Sequence, residues 1–176
     1  MRSFHSILLA NAFLLCVTLF ATLGCDSFSP TATGETASYP FDFELTSVDG
    51  ETVSKSDFEG KVLVVDIWGT WCPPCQKEVP HFIELQKELS EQGFQVVGIN
   101  YENGDENEMI DTINAFTEQI PINYPLLLGT QEVQEQIPDF SGFPTTIFID
   151  RQGVVRRTVL SYHSTAELRA YIEPLL

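Results

Sequence analysis

The segment Val62 to Cys75 reads VLVVDIWGTWCPPC and decides the fold. Its first half, Val62 to Trp68, is a nearly continuous apolar run, which is typical of a strand buried on both faces of a sheet. From Pro73 to about Gln92, apolar residues recur at helical spacing. The sequence therefore predicts a buried strand followed directly by a helix, with Cys72 and Cys75 at the junction.

Strands and helices alternate on either side of this segment. An alternating stretch at 41–45 followed by a turn at 48–51 predicts an N-terminal hairpin. Further strands are predicted at 94–99, 145–149 and 154–160, and further helices at 106–119, 130–136 and 164–173, with a short apolar stretch at 125–128 in an αβ-like insertion. This order predicts an α/β fold with a mixed central sheet and helices on both of its faces.

The two cysteines of the junction could form a metal site, a structural disulfide or a redox couple. The other two cysteines, Cys16 and Cys25, lie near the N-terminus, so the domain keeps only Cys72 and Cys75. A zinc site of four cysteines needs a second pair, and nothing in the sequence places the two histidines of the domain with this one. A structural bridge across two residues would close a very short loop and add little stability. A redox couple is the favoured interpretation, and we expect no metal and no cofactor.

The start of a helix suits this chemistry because its free N–H groups and partial positive charge stabilise a thiolate. We expect Cys72 to be exposed and to act as the attacking sulfur. Cys75, one turn further along, is expected to be more buried and to resolve the mixed disulfide. Pro73 and Pro74 restrict the loop between them and remove two N–H donors.

The N-terminus has the layout of an export signal. Arg2 precedes an uncharged run at 7–23. The run ends in Gly24-Cys25, which resembles a bacterial lipobox and implies that Cys25 is lipidated. Residues 1–24 are therefore predicted to be a signal peptide, 25–40 a flexible tether rich in small and polar residues, and 41–176 the folded domain. Plain secretion and an uncleaved membrane anchor remain alternatives.

The charge of the chain is strongly unbalanced. Twenty-five acids stand against nine Lys and Arg residues, for a formal net charge of −16. Binding of nucleic acid through phosphate neutralisation is therefore excluded as the expected function. A solvated acidic surface, a salt-rich habitat and a basic partner all fit the balance.

The sequence around the cysteines resembles the active-site segment of thioredoxin-fold proteins, and more narrowly the TlpA/ResA-like thiol-disulfide reductases. The resemblance covers about residues 40–176. It rests on Trp71-Cys-Pro-Pro-Cys75, on Glu78-Val79-Pro80 and on Gly142-Phe-Pro-Thr-Thr146 before a strand. It implies a thioredoxin-like fold with an N-terminal hairpin, a central insertion at about 106–128, and a Cys72/Cys75 dithiol–disulfide couple.

The resemblance also assigns roles to individual residues. Pro144 matches a cis-proline that faces the disulfide and leaves the preceding backbone free to pair with substrate. Asp66 matches a buried aspartate that takes the proton of Cys75, although many TlpA/ResA-like proteins have a neutral residue there. Pro80 matches a proline that bends the helix.

Substrate contacts are expected from the residues around the disulfide. They are Trp71, Pro73, Pro74, Phe143 and Pro144. Trp68 and Trp71 are interpreted as packing and rim residues rather than catalysts, and Glu78 is expected to be solvated.

The resulting hypothesis is a monomeric, lipid-anchored disulfide reductase on the extracytoplasmic face of a membrane. It would act on disulfides of exported proteins and draw electrons from a membrane thiol carrier. Apocytochrome c is one substrate class that the family suggests. A peroxide-reducing relative is the rival enzyme. Against it, Val65 and Gly69 replace the Pro and Thr of the Pro-x-x-x-Thr-x-x-Cys setting. A tethered binding module is the non-enzymatic alternative.

Overall fold

The computed structural model describes residues 38–176. The predicted signal peptide, the lipidation candidate Cys25 and most of the predicted tether lie outside these residues. Within them, no helix is both long enough and apolar enough to cross a membrane.

Residues 38–176 contain seven strands and four α-helices, joined by short loops and turns. The strands are β1 (Glu44–Thr46), β2 (Thr52–Ser54), β3 (Val62–Trp68), β4 (Phe94–Asn100), β5 (Leu126–Leu128), β6 (Thr145–Ile149) and β7 (Val155–Leu160). The helices are α1 (Pro73–Leu89), α2 (Glu106–Thr117), α3 (Gln131–Glu135) and α4 (Thr165–Ile172). The predicted order of strands and helices is confirmed, with boundaries that shift by a few residues.

Five strands form the central sheet in the order β5-β4-β3-β6-β7. β3 is the middle strand and runs parallel to β4 and antiparallel to β6. All seven residues of β3 are buried, as its apolar run predicts. β1 and β2 pair separately as a short antiparallel hairpin. The predicted mixed α/β sheet is therefore confirmed.

Two hydrophobic clusters fill the two faces of this sheet. Alternate side chains of β3, among them Val64 and Trp68, pack with α1, α2 and α4 in one cluster. The intervening residues, among them Val65 and Ile67, pack with the hairpin and α3 in the other. Because β3 ends between these layers, the loop that follows it emerges at the C-terminal end of this central strand, where α1 begins.

Candidate redox site

Cys72 and Cys75 form a disulfide at the point where β3 leads into α1. The bond joins the two Sγ atoms over 2.10 Å, with the Cα atoms 5.3 Å apart. Cys72 is the residue that caps the N-terminus of α1, and its Sγ accepts a hydrogen bond from the Cys75 N–H at 3.3 Å. Pro73 and Pro74 occupy the first helical positions and have no N–H to offer. The N–H of Cys75 is therefore the first donor of the helix, and it points at Cys72.

The expectation that Cys72 is exposed is wrong for this oxidised form. Only 3% of its surface is accessible, compared with 1% for Cys75. The reason lies in the tertiary packing, because both sulfurs belong to the cluster between α1 and the sheet. The two cysteines are therefore almost equally buried, and they differ in their positions on the helix: Cys72 caps its N-terminus and Cys75 lies in its first turn.

The loop before β6 lies beside the C-terminal end of β3, close to the loop that carries the disulfide. Thr145 is the register partner of Ile67, which places Pro144 next to the last residue of β3. The Phe143–Pro144 peptide bond is cis, and the Pro144 carbonyl accepts a hydrogen bond from the Ser161 N–H. In residues 38–176 no hydrogen bond engages the N–H or the carbonyl of Phe143. The loop thus offers one free pair of backbone groups beside the disulfide.

Three aromatic side chains pack against the ring of Phe143. The Phe143 ring lies 5.2 Å from that of Trp71, 5.8 Å from Tyr101 and 5.3 Å from Phe140, measured between centroids. We call Trp71, Tyr101, Phe140 and Phe143 the aromatic rim. The Trp71 indole N–H donates to the Tyr101 carbonyl at 2.8 Å, yet 52% of the residue remains exposed. The rim is therefore held in place while it presents apolar surface to solvent.

Asp66 lies on β3 behind the disulfide, on the same face of the sheet as Trp68. Its neighbours across the sheet are Gly98 on β4 and Thr146 on β6. The absence of a side chain at Gly98 matters here, because an added Cβ would lie 2.9 Å from Trp68 Nε1 and 3.3 Å from the Tyr124 ring. Because Gly98 has no side chain, the sheet leaves space beside Asp66 into which Tyr124 packs.

The structure contradicts the expectation for Glu78. We expected a solvated side chain, but Glu78 is completely buried. Its Oε1 accepts a hydrogen bond of 2.7 Å from the backbone N–H of His163, while Oε2 has no partner. The physical reason is helical spacing, since position 78 lies three residues after Cys75 and four before Phe82, both of which face the core.

The buried polar groups behind the disulfide shift each other's ionisation. Burial raises the pKa of Asp66 well above its usual range, and the charge of Glu78 raises it further. Burial raises the pKa of Glu78 to about 7, with the hydrogen bond from His163 opposing the shift. Burial, then the charges of Asp66 and Glu78, raise the pKa of the Tyr124 hydroxyl. Atoms Asp66 Oδ1, Glu78 Oε2 and Tyr124 OH are buried without a hydrogen-bond partner.

The cysteines, the Pro144 loop and Asp66 were predicted as site residues from the sequence. The burial of Glu78 and the presence of Tyr124 in this region were not predicted. The signal for Glu78 was present in the buried stripe of α1, into which it falls by spacing. The signal for Tyr124 was weaker. A glycine inside the buried strand β4 marks a close approach of another group, but the sequence does not identify that group. Within residues 38–176, no three His, Cys, Asp or Glu side chains are grouped to hold a metal ion.

A disulfide at the start of a helix, on a five-stranded mixed sheet of this topology, places the molecule in the class of thioredoxin-like thiol-disulfide oxidoreductases. The AhpC/TSA family profile matches residues 36–158, and the chain belongs to that family.

Named relatives agree with this class. The chain is 26% identical to the thiol-disulfide oxidoreductase ResA of Geobacillus kaustophilus, an alignment of 179 residues that covers 99% of both chains. It is 29% identical to ResA of Bacillus subtilis over 130 residues, which cover 74% of this chain and 70% of the relative. These similarities confirm the resemblance to ResA-like proteins.

Solved structures show the same fold. A thioredoxin-family thiol:disulfide interchange protein from Chlorobium tepidum superposes with a TM-score of 0.69 at 26% identity, covering 80% of this chain and 98% of the other. A secreted thiol-disulfide isomerase from Corynebacterium glutamicum superposes with a TM-score of 0.70 at 23% identity, covering 84% and 94%. The predicted thioredoxin-like fold is confirmed.

Proposed function

We propose that this protein is an extracytoplasmic, membrane-tethered reductase of disulfides in exported proteins, which works through Cys72 and Cys75. The observation that carries the proposal is the disulfide at the N-terminus of α1, beside the unpaired backbone of Phe143. An extended substrate segment can pair with that backbone and bring its own disulfide to Cys72. Trp71, Pro73, Pro74 and Pro144 then form the contact surface around the reacting sulfurs.

The reaction moves two electrons. In the reduced protein, the Cys72 thiolate attacks one sulfur of the substrate disulfide, and the other substrate sulfur leaves as a thiolate. Cys75 then loses its proton and attacks the Cys72 sulfur. This step restores the Cys72–Cys75 disulfide and releases the second substrate thiol. A membrane dithiol carrier returns the two electrons to the protein.

The proton of Cys75 needs an acceptor inside the protein, because Cys75 is buried. Asp66 and Glu78 are the buried carboxyl groups of this region, and Glu78 lies one helical turn from Cys75. With a pKa of about 7, Glu78 is present in both ionisation states near neutral pH. We assign Glu78 and Asp66 together as the groups that accept this proton.

The N-terminal sequence supports the proposed location. Lipidation of Cys25 after removal of residues 1–24 would hold the domain near a membrane through the tether at 25–40. Stable protein disulfides, the substrates of the proposed reaction, form and persist in the oxidising compartments outside the cytoplasm. The relatives named ResA support the activity class, and maturation of c-type cytochromes is one role that fits the proposed location.

A reduction assay with insulin and a dithiol donor tests the activity. The wild-type protein should accelerate insulin reduction, Cys72→Ser should abolish the acceleration, and Cys75→Ala should accumulate a mixed disulfide with its substrate. A Cys72→Ser protein that reduces insulin as fast as wild type would refute the proposal. Rapid consumption of hydrogen peroxide without insulin reduction would favour a peroxide reductase instead.

A further inference from the structure

A groove adjoins the aromatic rim on the side of Tyr101 and Phe140. It has a volume of about 520 Å³. Its lining residues are Tyr101, Gln131, Gln134, Glu135, Ile137 and Phe140. Tyr101 and Phe140 belong both to the groove and to the rim, so the groove adjoins Phe143, whose ring contacts Trp71 next to Cys72.

The segment that builds this side of the site carries only negative charge. Residues 101–140 contain nine Asp and Glu residues and no Lys, Arg or His. The rest of the sequence holds the other 16 acids and all nine Lys and Arg residues. The acidic character of the chain is therefore concentrated beside the redox site.

Three of these carboxyl groups have defined positions near the groove and the rim. Glu135 lines the groove, and Asp139 immediately precedes Phe140. Glu102 directly follows Tyr101 in the sequence. Its Oε1 accepts a hydrogen bond of 2.6 Å from the Thr70 N–H in the active-site loop. Negative charge therefore flanks the route from the groove to the disulfide.

We infer that this groove docks the polypeptide that flanks the reacting cysteine of the substrate, and that it selects segments carrying Lys or Arg. The inference deepens the proposed function and rests on it. Acidic side chains alone would form an ordinary solvated surface. Here they border a groove of mixed apolar and polar lining that adjoins the aromatic rim of a site whose proposed substrate is itself a polypeptide.

The lining suits a basic segment in three ways. The rings of Tyr101 and Phe140 provide faces on which a cation or an aliphatic stem can rest. The Tyr101 ring is held in place by a hydrogen bond from its hydroxyl to the Thr130 carbonyl at 2.9 Å. The amide of Gln134 can pair with a peptide backbone, while Glu135 supplies the charge that favours a cation.

The test uses two disulfide-bonded peptides of equal length that differ only in three residues beside one cysteine, all Lys or all Glu. Single-turnover rates of the reduced protein with each peptide are measured by thiol alkylation and chromatography, and divided by its rate with 2-hydroxyethyl disulfide, an uncharged linear disulfide. At about 20 mM salt the Lys peptide should react at least about tenfold faster than the Glu peptide, and about 500 mM salt should remove most of the difference.

Two double variants separate the groove from the total charge. Glu135→Gln with Asp139→Asn removes two charges beside the groove, and asparagine suits the positive φ of 53° at position 139. Glu59→Gln with Glu91→Gln removes two charges that precede β3 and β4, at the end of these seven-residue strands opposite to the groove and roughly 20 Å from it. The first variant should lower the Lys-to-Glu rate ratio about fivefold, and the second should leave it within about twofold of wild type.

The outcomes separate the two proposals. Equal rates with both peptides, or equal losses of preference in both double variants, would overturn the docking inference and leave the reductase function standing. Failure to reduce either peptide, with rapid reduction of 2-hydroxyethyl disulfide, would instead refute the proposed action on polypeptides.

Discussion

Replacing Glu78 with glutamine should make the protein more stable at high pH and leave its stability in acid nearly unchanged. The side chain is completely buried, and its Oε1 accepts the hydrogen bond from the His163 N–H. Glutamine has the same shape and keeps an acceptor for that bond. The substitution therefore removes the ionisable group with little change in packing.

The magnitude follows from the pKa of Glu78. Burial raises it from 4.5 to about 7, so the folded protein holds a proton that the unfolded chain releases between these pH values. A raised pKa stabilises the fold fully below pH 4.5, and this contribution is lost as the pH rises towards 7. At about 1.4 kcal/mol for each pH unit, the loss is about 3 kcal/mol. The charge of Glu78 also raises the pKa of Asp66. Removing this charge should therefore increase the stability of the variant at high pH further.

Urea unfolding of the oxidised protein between pH 4 and pH 8.5 measures this difference. Since ΔG of unfolding falls by roughly 1–3 kcal/mol per molar urea, the Glu78→Gln midpoint should exceed that of wild type by about 1–3 M at high pH. The two midpoints should converge near pH 4. Glu84→Gln, at an exposed position of the same helix, should follow the wild-type curve. A midpoint difference for Glu78→Gln that does not change with pH would refute the reasoning.

Two further predictions concern residues that shape the sheet. Gly98→Ala should lower stability by about 1–3 kcal/mol, because the new Cβ would lie 2.8 Å from Leu126 Cδ2 and 2.9 Å from Trp68 Nε1. A Tm within a degree or two of wild type would contradict this packing argument. Burial opposes the ionisation of Asp150, but hydrogen bonds from two backbone N–H groups and from Arg156 outweigh it and lower its pKa. Asp150→Asn should therefore cost about 1–3 kcal/mol at pH 7, with a cost that shrinks below pH 3.8, the ordinary pKa of aspartate. A cost that stays constant down to pH 2 in urea unfolding would show that the charge is not responsible.

The elements of the fold were predictable because their patterns are local. The apolar run at 62–68 and the stripe along α1 each specify one element through burial alone. Helix ends were less accurate. The predicted end at Gln92 includes a short 3-10 turn after Leu89, and Gly93, with φ of 75°, closes that turn. The position of β5 at one edge of the sheet depends on a crossover between distant segments, which no local pattern encodes.

The site was predictable only where its residues lie in one short motif. The cysteine pair and the Pro144 loop are recognisable from adjacent residues. The burial of the Cys72 sulfur depends on how α1 and the sheet pack, and the expectation of an exposed sulfur was wrong for that reason. Glu78 was misjudged because glutamate is rarely buried, a general preference that outweighed its place in the helical stripe.

Two buried carboxyl groups in one domain require an explanation, because both make the fold less stable as the pH rises through their raised pKa values. Their polar partners are few: Glu78 accepts a hydrogen bond from the backbone N–H of His163, the His163 Nδ1 lies 3.7 Å from Glu78 Oε1 without a hydrogen bond, and Asp66 Oδ1 has no partner. A chain selected for stability alone would replace them with neutral residues. Their presence is consistent with a step of the reaction that uses their titration, namely removal of the proton from Cys75. The same Glu78→Gln variant should therefore be more stable above pH 7 and slower in insulin reduction, by about tenfold or more with Asp66 still in place. A variant that gains stability and keeps full activity at every pH would leave Asp66 alone as the proton acceptor.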